Sequence, residues 1–268
     1  MTEMPMTAIG PLKVSRLIVG GNPFSGNSHG SAELSRKMRR WWTVARIKDC
    51  LRECESLGVN TLLARGDNHI QRLLLEYRDE GGGIQWIAQT APERRSVEEN
   101  IRQIAAAGAE GCYLHGGMVD GIFREGDPEV LRDWIALIKD LGMVAGMGSH
   151  NWEFPLRAEE MDPGCDFYMC CFYDIYGRGG EHYENEDREA MCATIRRLSR
   201  PCIAFKILAA GRNEPEDAFR YALANIKPTD PICVGVYTEN HPDQVKEDAA
   251  MTIRFGGRGA STNRDGSA

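Results

Sequence analysis

The strongest constraint on the fold is an alternation of apolar runs with stretches of helical period along 268 residues. The runs are apolar throughout, as in strands covered on both faces. Most of the stretches between them, such as "SVEENIRQIAAAG", end in the glycine that closes a helix. Eight strands, each followed by a helix, predict an α/β fold of the (β/α)8 TIM barrel type, with a doubly wound sheet as the alternative. The eight runs span 16–20, 59–64, 84–88, 111–115, 143–147, 166–172, 202–208 and 232–237.

The organisation along the chain follows from the same pattern. Residues 1–254 are predicted to form one barrel, with a hairpin over 7–15 that closes its floor. Residues 255–268, "FGGRGASTNRDGSA", are nearly devoid of apolar side chains. We expect a disordered tail there.

Charge and composition narrow the class of partner. The net charge is −7, and the positive residues are scattered apart from "RKMRR" at 36–40, so nucleic-acid binding is not expected. No uncharged apolar stretch approaches about 18 residues, and the pattern of a signal peptide is missing. Nine cysteines without CxxC spacing are typical of reduced thiols. A cytoplasmic protein with a small-molecule substrate is expected, and a homo-oligomer stays open.

The histidines fall where a barrel builds its active site, at the carboxyl ends of the strands. His115 and His150 end neighbouring strands and are predicted to share one pocket as base and acid. Asp67 and Lys206 are further catalytic candidates, from the second and seventh strands. The other four histidines also follow strands, and one of them is His69. For His29, His182 and His241, capping a helix or hydrogen-bonding a carbonyl is favoured over a catalytic role.

Several segments resemble the aldo-keto reductase family, in order along nearly the whole chain. "GPLKVSRLIVGG" resembles the opening "GLKVSRLGLGT", and "GCYLHGG" resembles "DLYLLHGP". "GMVAGMGSHN" is similar to "GKVRAIGVSN", and "HPDQVKEDAA" to "NPEQLEENLA". The resemblance implies the same barrel scaffold, with NADP as the cofactor of an oxidoreductase.

The catalytic tetrad that the resemblance implies is mostly replaced. Leu63 stands at the family's Asp position, Asn68 near its Tyr, and Gln89 or Thr90 at its Lys. Only the histidine remains, as His115. Leucine holds no charge and asparagine cannot protonate an alkoxide, so the family's hydride transfer lacks its acid.

The cofactor positions are altered less. The resemblance implies that Asn151 holds the nicotinamide, that Tyr173 lies near its ring, and that Gln244 and Glu247 meet the adenosine. Asp248 replaces the family's Asn at that end. Dinucleotide binding is therefore expected to be impaired.

Three functions stay open. The favoured one is non-redox acid/base chemistry on a polar carbonyl or sugar-like substrate, by a lyase, isomerase or epimerase, with Lys206 binding an anionic group or forming a Schiff base. A divalent metal held by His115, His150 and Glu239 is a variant of it. The other two are an NAD(P)-dependent reductase and a catalytically inactive nucleotide-binding or regulatory protein. The loop over 20–42 is either a lid or the start of the first helix.

Overall fold

The computed structural model describes residues 3–175 and 182–257, which begin with an antiparallel hairpin and continue into a closed barrel. The hairpin consists of β1 (Met6–Ile9) and β2 (Leu12–Ser15). Each of the eight parallel barrel strands overlaps one of the predicted apolar runs, so the predicted (β/α)8 fold is confirmed. The barrel strands are β3 (Leu17–Gly20), β4 (Thr61–Arg65), β5 (Gln85–Gln89), β6 (Gly111–Leu114), β7 (Val144–Ser149), β8 (Phe167–Cys171), β9 (Cys202–Phe205) and β10 (Ile232–Gly235).

The helices surround the barrel, and several begin at a side chain that caps them. Ser31, Thr43 and Ser96 each accept a hydrogen bond from the backbone N–H three residues on. No helix in the described residues is long and apolar enough to cross a membrane. The helices are α1 (Ala32–Trp41), α2 (Val44–Ser56), α3 (Asn68–Asp79), α4 (Val97–Ala106), α5 (Gly116–Glu125), α6 (Val130–Asp140), α7 (Phe154–Met161), α8 (Asn185–Arg197), α9 (Pro215–Asn225) and α10 (Gln244–Gly256).

The inside of the barrel is a packed core rather than a channel. Ile9 and Val14 of the hairpin are fully buried beneath it and close its floor. Among the described residues, the carboxyl ends of the strands are therefore the side of the barrel that the hairpin leaves uncovered. The interior residues are Ile9, Val14, Ile18, Leu63, Ile87, Tyr113, Val144, Phe167, Met169, Ile203 and Cys233.

The buried Arg16 connects the first barrel strand with the segments on either side of the last one. Arg16, 4% exposed, donates to the backbone oxygens of Asp230 and of Gly256, the latter at 2.7 Å. The last helix thus runs two residues past the predicted limit at 254. The rest of the predicted tail, from residue 258 on, lies outside the described residues.

Candidate active site

Neighbouring strands bring two histidines together at the carboxyl end of the barrel. His115 follows the last residue of β6, and His150 follows the last residue of β7. Gly116 leaves the room that their approach needs, because a Cβ built on it would lie 2.7 Å from Cε1 of His150. The two imidazoles are close enough to act on each other electrostatically.

A buried carboxylate orients His150. Oδ2 of Asp120 lies 2.8 Å from Nδ1 of His150 and 3.1 Å from its backbone nitrogen, and Oδ1 accepts from Oγ of Ser149 at 2.7 Å. Asp120 is fully buried on α5, and it accepts from the hydroxyl of Ser149 and from the backbone N–H of His150. This arrangement fixes the hydrogen of His150 on Nδ1 and leaves Nε2 as the basic nitrogen.

His115 sits in a different environment. Its Nδ1 is buried, and no hydrogen-bond partner for it occurs in the described residues. Burial first, and then the neighbouring His150, lower the pKa of His115 to about 4. The imidazole is therefore neutral at physiological pH.

A cavity of about 560 Å³ opens at the mouth of the barrel and runs outward between the loops after β9 and β10. Leu34 and Met38 of α1 form one wall, so the segment predicted as lid or helix contains a helix that covers the cavity. The inner end is lined by Leu63, Arg65, Gln89, Tyr113, Met169, Phe205 and Cys233, and the outer end by Tyr237, His241, Gln244, Glu247 and Asp248.

The histidine pair borders the inner end of this cavity without forming its wall. The ring of His150 packs edge-on against Phe205 at 5.6 Å between centroids, and the guanidinium of Arg65 acts on His115. Gln89 donates from Nε2 to Oη of Tyr113 at 2.7 Å. The inner end thus combines an apolar wall with a few fixed polar groups, as small-molecule sites do.

The other predicted catalytic residues divide between cavity and scaffold. Lys206 lines the cavity directly after β9, in the left-handed conformation with φ of 60°. Asp67 caps α3 by accepting from the backbone N–H of Ile70 at 3.0 Å and forms an ion pair with Arg65. These contacts give Asp67 a structural role and place it outside the cavity wall.

The predicted cofactor residues divide in the same way. Gln244 and Glu247 line the outer end of the cavity. Nδ2 of Asn151 instead donates to Asp174 at 3.1 Å, and its Oδ1 accepts from the backbone of Glu153. Tyr173 is 1% exposed, with its hydroxyl accepting from Asn213 at 2.7 Å.

The predicted metal set of His115, His150 and Glu239 is not assembled. Glu239 follows β10, which lies opposite β6 in the barrel order, and it accepts from the hydroxyl of Tyr237. Across residues 3–175 and 182–257, no three His, Cys, Asp or Glu side chains are grouped as metal ligands.

Sequence reasoning missed Asp120, Arg65 and Tyr113. Asp120 lies in the middle of a helix, where a carboxylate is usually solvated. The available signal was its spacing from Gly116, which puts both residues on the helix face that meets His150.

Comparisons with known proteins show similarity in fold. No protein-family model and no curated protein matches the chain. Among solved structures, a protein assigned as an aldo-keto reductase from Pseudomonas aeruginosa is 18% identical, with 94% of each chain covered and a TM-score of 0.64. An aldo-keto reductase from Bacillus halodurans is 13% identical, with 98% of this chain and 99% of that one covered and a TM-score of 0.61. An N-acetylmannosamine-6-phosphate 2-epimerase from Clostridium perfringens is 15% identical, with 86% and 90% covered and a TM-score of 0.56.

At these identities the likeness carries the architecture and not the chemistry, since one barrel hosts many reactions. The chain is an eight-stranded (β/α)8 barrel similar in fold to the aldo-keto reductases.

Proposed function

We propose that this protein is an enzyme that moves a proton on a small hydroxylated carbonyl compound without redox chemistry, as an isomerase, epimerase or lyase does. The observation that carries the proposal is the hydrogen-bonded pair of His150 and Asp120, with neutral His115 beside it and the ring of His150 packed on Phe205 of the cavity's inner end.

The pair supplies a base with a defined direction. Because the carboxylate of Asp120 holds the hydrogen on Nδ1, Nε2 of His150 is the nitrogen that accepts a proton from carbon. As the C–H bond breaks, its electron pair moves onto the neighbouring carbonyl oxygen, where negative charge develops. The imidazolium that forms is stabilised by the same carboxylate.

His115 has the complementary task. A neutral imidazole carries one N–H, and it donates that hydrogen bond to the carbonyl oxygen as the charge develops. The proton then returns from His150 to the same carbon. Alternatively, the proton of the neighbouring hydroxyl passes to the former carbonyl oxygen, which places the negative charge on the hydroxyl's own oxygen, and His150 then protonates the carbon that had carried the carbonyl. The two histidines differ in environment, and such a difference separates the donor from the base.

The cavity suits a substrate with polar ends. Arg65 and Lys206 bring positive charge to its walls, and the hydroxyl of Tyr113 offers a further hydrogen bond at the barrel mouth. Arg65 shares its charge with Asp67 and Glu93. Lys206 lines the cavity directly after β9, and we assign it to an anionic group of the substrate.

The reductase function is the second candidate, and one observation favours it: the cavity is continuous from the barrel mouth to Gln244 and Glu247. The residues present do not fit a dinucleotide. Tyr173 is buried, and the amide of Asn151 is engaged on both sides. The carboxyls of Glu247 and Asp248 would face the adenosine end.

The test is exchange of substrate hydrogen for deuterium. The protein is incubated in D₂O with a panel of aldose and ketose phosphates, and deuterium at the carbons next to the carbonyl is followed by NMR. We expect exchange by the wild type and its loss in His150→Gln. His69→Gln is the matched control, because His69 is exposed in the first turn of α3.

Three results would contradict the proposal. Full exchange by folded His150→Gln would remove the base. Oxidation of NADPH in the presence of a carbonyl compound would instead support the reductase function, while nucleotide binding without turnover would support a regulatory protein.

A further inference from the structure

A buried carboxyl group at the outer end of the cavity has no part in the proton transfer. Asp248 lies in the first turns of α10, is 3% exposed and lines the cavity. This helix follows β10, whereas the histidines follow β6 and β7 on the opposite side of the barrel. The carboxyl is therefore separate from the reacting groups.

The protein provides few hydrogen-bond donors to the carboxyl group of Asp248. Its Oδ2 receives one long hydrogen bond, 3.4 Å from Nε2 of Gln244, and the same amide group also donates to the backbone oxygen of Gly235 at 3.3 Å. Among the described residues, Gln244 supplies the one donor to the side-chain oxygens of Asp248, and no lysine, arginine or histidine forms an ion pair with it. A buried carboxyl without a cation or a full set of donors is costly to keep.

A second carboxylate faces the same space. Glu247 is exposed and also lines the cavity, and it makes ionisation of Asp248 still less favourable. Positive charge in the cavity comes instead from Lys206 and Arg65, nearer the barrel mouth. The cavity is thus cationic at its inner end and acidic at its outer end.

We infer that the outer end binds a protonated primary amine of the ligand, between Asp248 and Glu247. An ammonium group supplies both the charge and the donors that these carboxyls lack, with one hydrogen directed at Oδ1 of Asp248. A phosphate there would be repelled, and a neutral hydroxyl would bring a donor but no charge.

The inference rests on the proposed function and narrows its substrate to an aminated carbonyl compound, such as an amino sugar with an anionic group. The anionic group would lie toward Lys206, and the amine toward α10. Charges of opposite sign at the two ends also fix the direction in which the ligand enters.

The experiment compares two probes that differ only at one group. Binding of glucosamine 6-phosphate and of glucose 6-phosphate is measured by calorimetry with the wild type, Asp248→Asn and His150→Gln. We expect the amine to bind at least about tenfold more tightly to the wild type, which is about 1.4 kcal/mol. Asp248→Asn removes the preference, and Glu247→Gln, which is exposed and keeps the fold, reduces it.

His150→Gln separates this inference from the proposed function. The variant is expected to lose deuterium exchange and to retain the preference for the amine, because its side chain lies across the barrel from Asp248. Equal binding of the two sugars by the wild type, binding of neither, or a preference that survives in Asp248→Asn overturns the inference. So does tighter binding of AMP than of either sugar, which would assign this end to a nucleotide.

Discussion

The tautomer of His150 depends on one buried carboxylate, so Asp120→Asn is the sharpest perturbation of the site. Asp120 accepts from the hydroxyl of Ser149, from the backbone of His150 and from its Nδ1, at 2.7, 3.1 and 2.8 Å. Asparagine keeps the volume and one acceptor. It turns an N–H₂ group toward the ring, where only an unprotonated Nδ1 can accept.

The magnitude follows from these contacts. Hydrogen bonds to a charged acceptor contribute about 1.5–3 kcal/mol, against about 1 kcal/mol for neutral ones. In Asp120→Asn, three hydrogen bonds to a charged acceptor are replaced by weaker neutral ones, while part of the cost of burying the charge is recovered. We therefore expect the free energy of unfolding to fall by about 2 kcal/mol. The imidazole hydrogen moves from Nδ1 to Nε2, and proton abstraction is lost.

The assay is a two-dimensional ¹⁵N–¹H NMR spectrum of the imidazoles, recorded together with urea unfolding. Ser149→Ala is the matched control, because it removes one donor to Asp120 without touching the ring. It should cost about 1 kcal/mol and leave the tautomer unchanged. If folded Asp120→Asn keeps its hydrogen on Nδ1, the reasoning on the base is wrong.

Three further outcomes follow from the same structure. His115, with its pKa lowered to about 4, should stay unprotonated by NMR between pH 8 and pH 5. Because the unfolded chain takes up this proton near pH 6.5, the free energy of unfolding should fall by about 3 kcal/mol as pH decreases from 6.5 to 4. The pKa of Asp248 is raised to about 8, chiefly by burial, so its effect on stability runs the other way: the free energy of unfolding falls as pH rises from about 4 to 8. Urea unfolding at pH 8 should therefore find Asp248→Asn more stable than the wild type, by an amount on the order of 5 kcal/mol. A Cβ at residue 116 would displace His150, so Gly116→Ala should lose deuterium exchange and about 1–3 kcal/mol of stability. Gly121→Ala in the same helix, where a Cβ would meet nothing within 4 Å, should be neutral or stabilising. Equal effects of the two substitutions would refute the crowding argument.

The scaffold was accessible from the sequence because strands buried on both faces leave uninterrupted apolar runs. The ends of those strands placed His115, His150 and Lys206 at the carboxyl end of the barrel, where the structure has them directly after β6, β7 and β9. What lies between strands was less accessible. Asp67 became a helix cap, since an aspartate before a helix is as well suited to capping as to catalysis.

The remaining differences between the predicted sites and the structure arise from packing. Nothing in the local sequence of Tyr173 indicates that its ring is buried against other side chains rather than exposed to a cofactor. Glu239 shares a face with the histidines but lies across the barrel from them, because strand order separates β10 from β6. The contact of Asp120 with His150 forms only when α5 packs against the end of β7, so the local sequence does not indicate it.

The contacts of Arg16 bear on how the chain is made. Its guanidinium sits near the start of the chain, and its acceptors, the backbone oxygens of Asp230 and Gly256, are more than two hundred residues away. Until residue 230 leaves the ribosome, this cation has neither acceptor, and until Ile232–Gly235 follow, β3 has no partner in β10. Barrel closure is therefore a late event of synthesis, and a nascent chain stalled before residue 230 would expose an open sheet edge to chaperones.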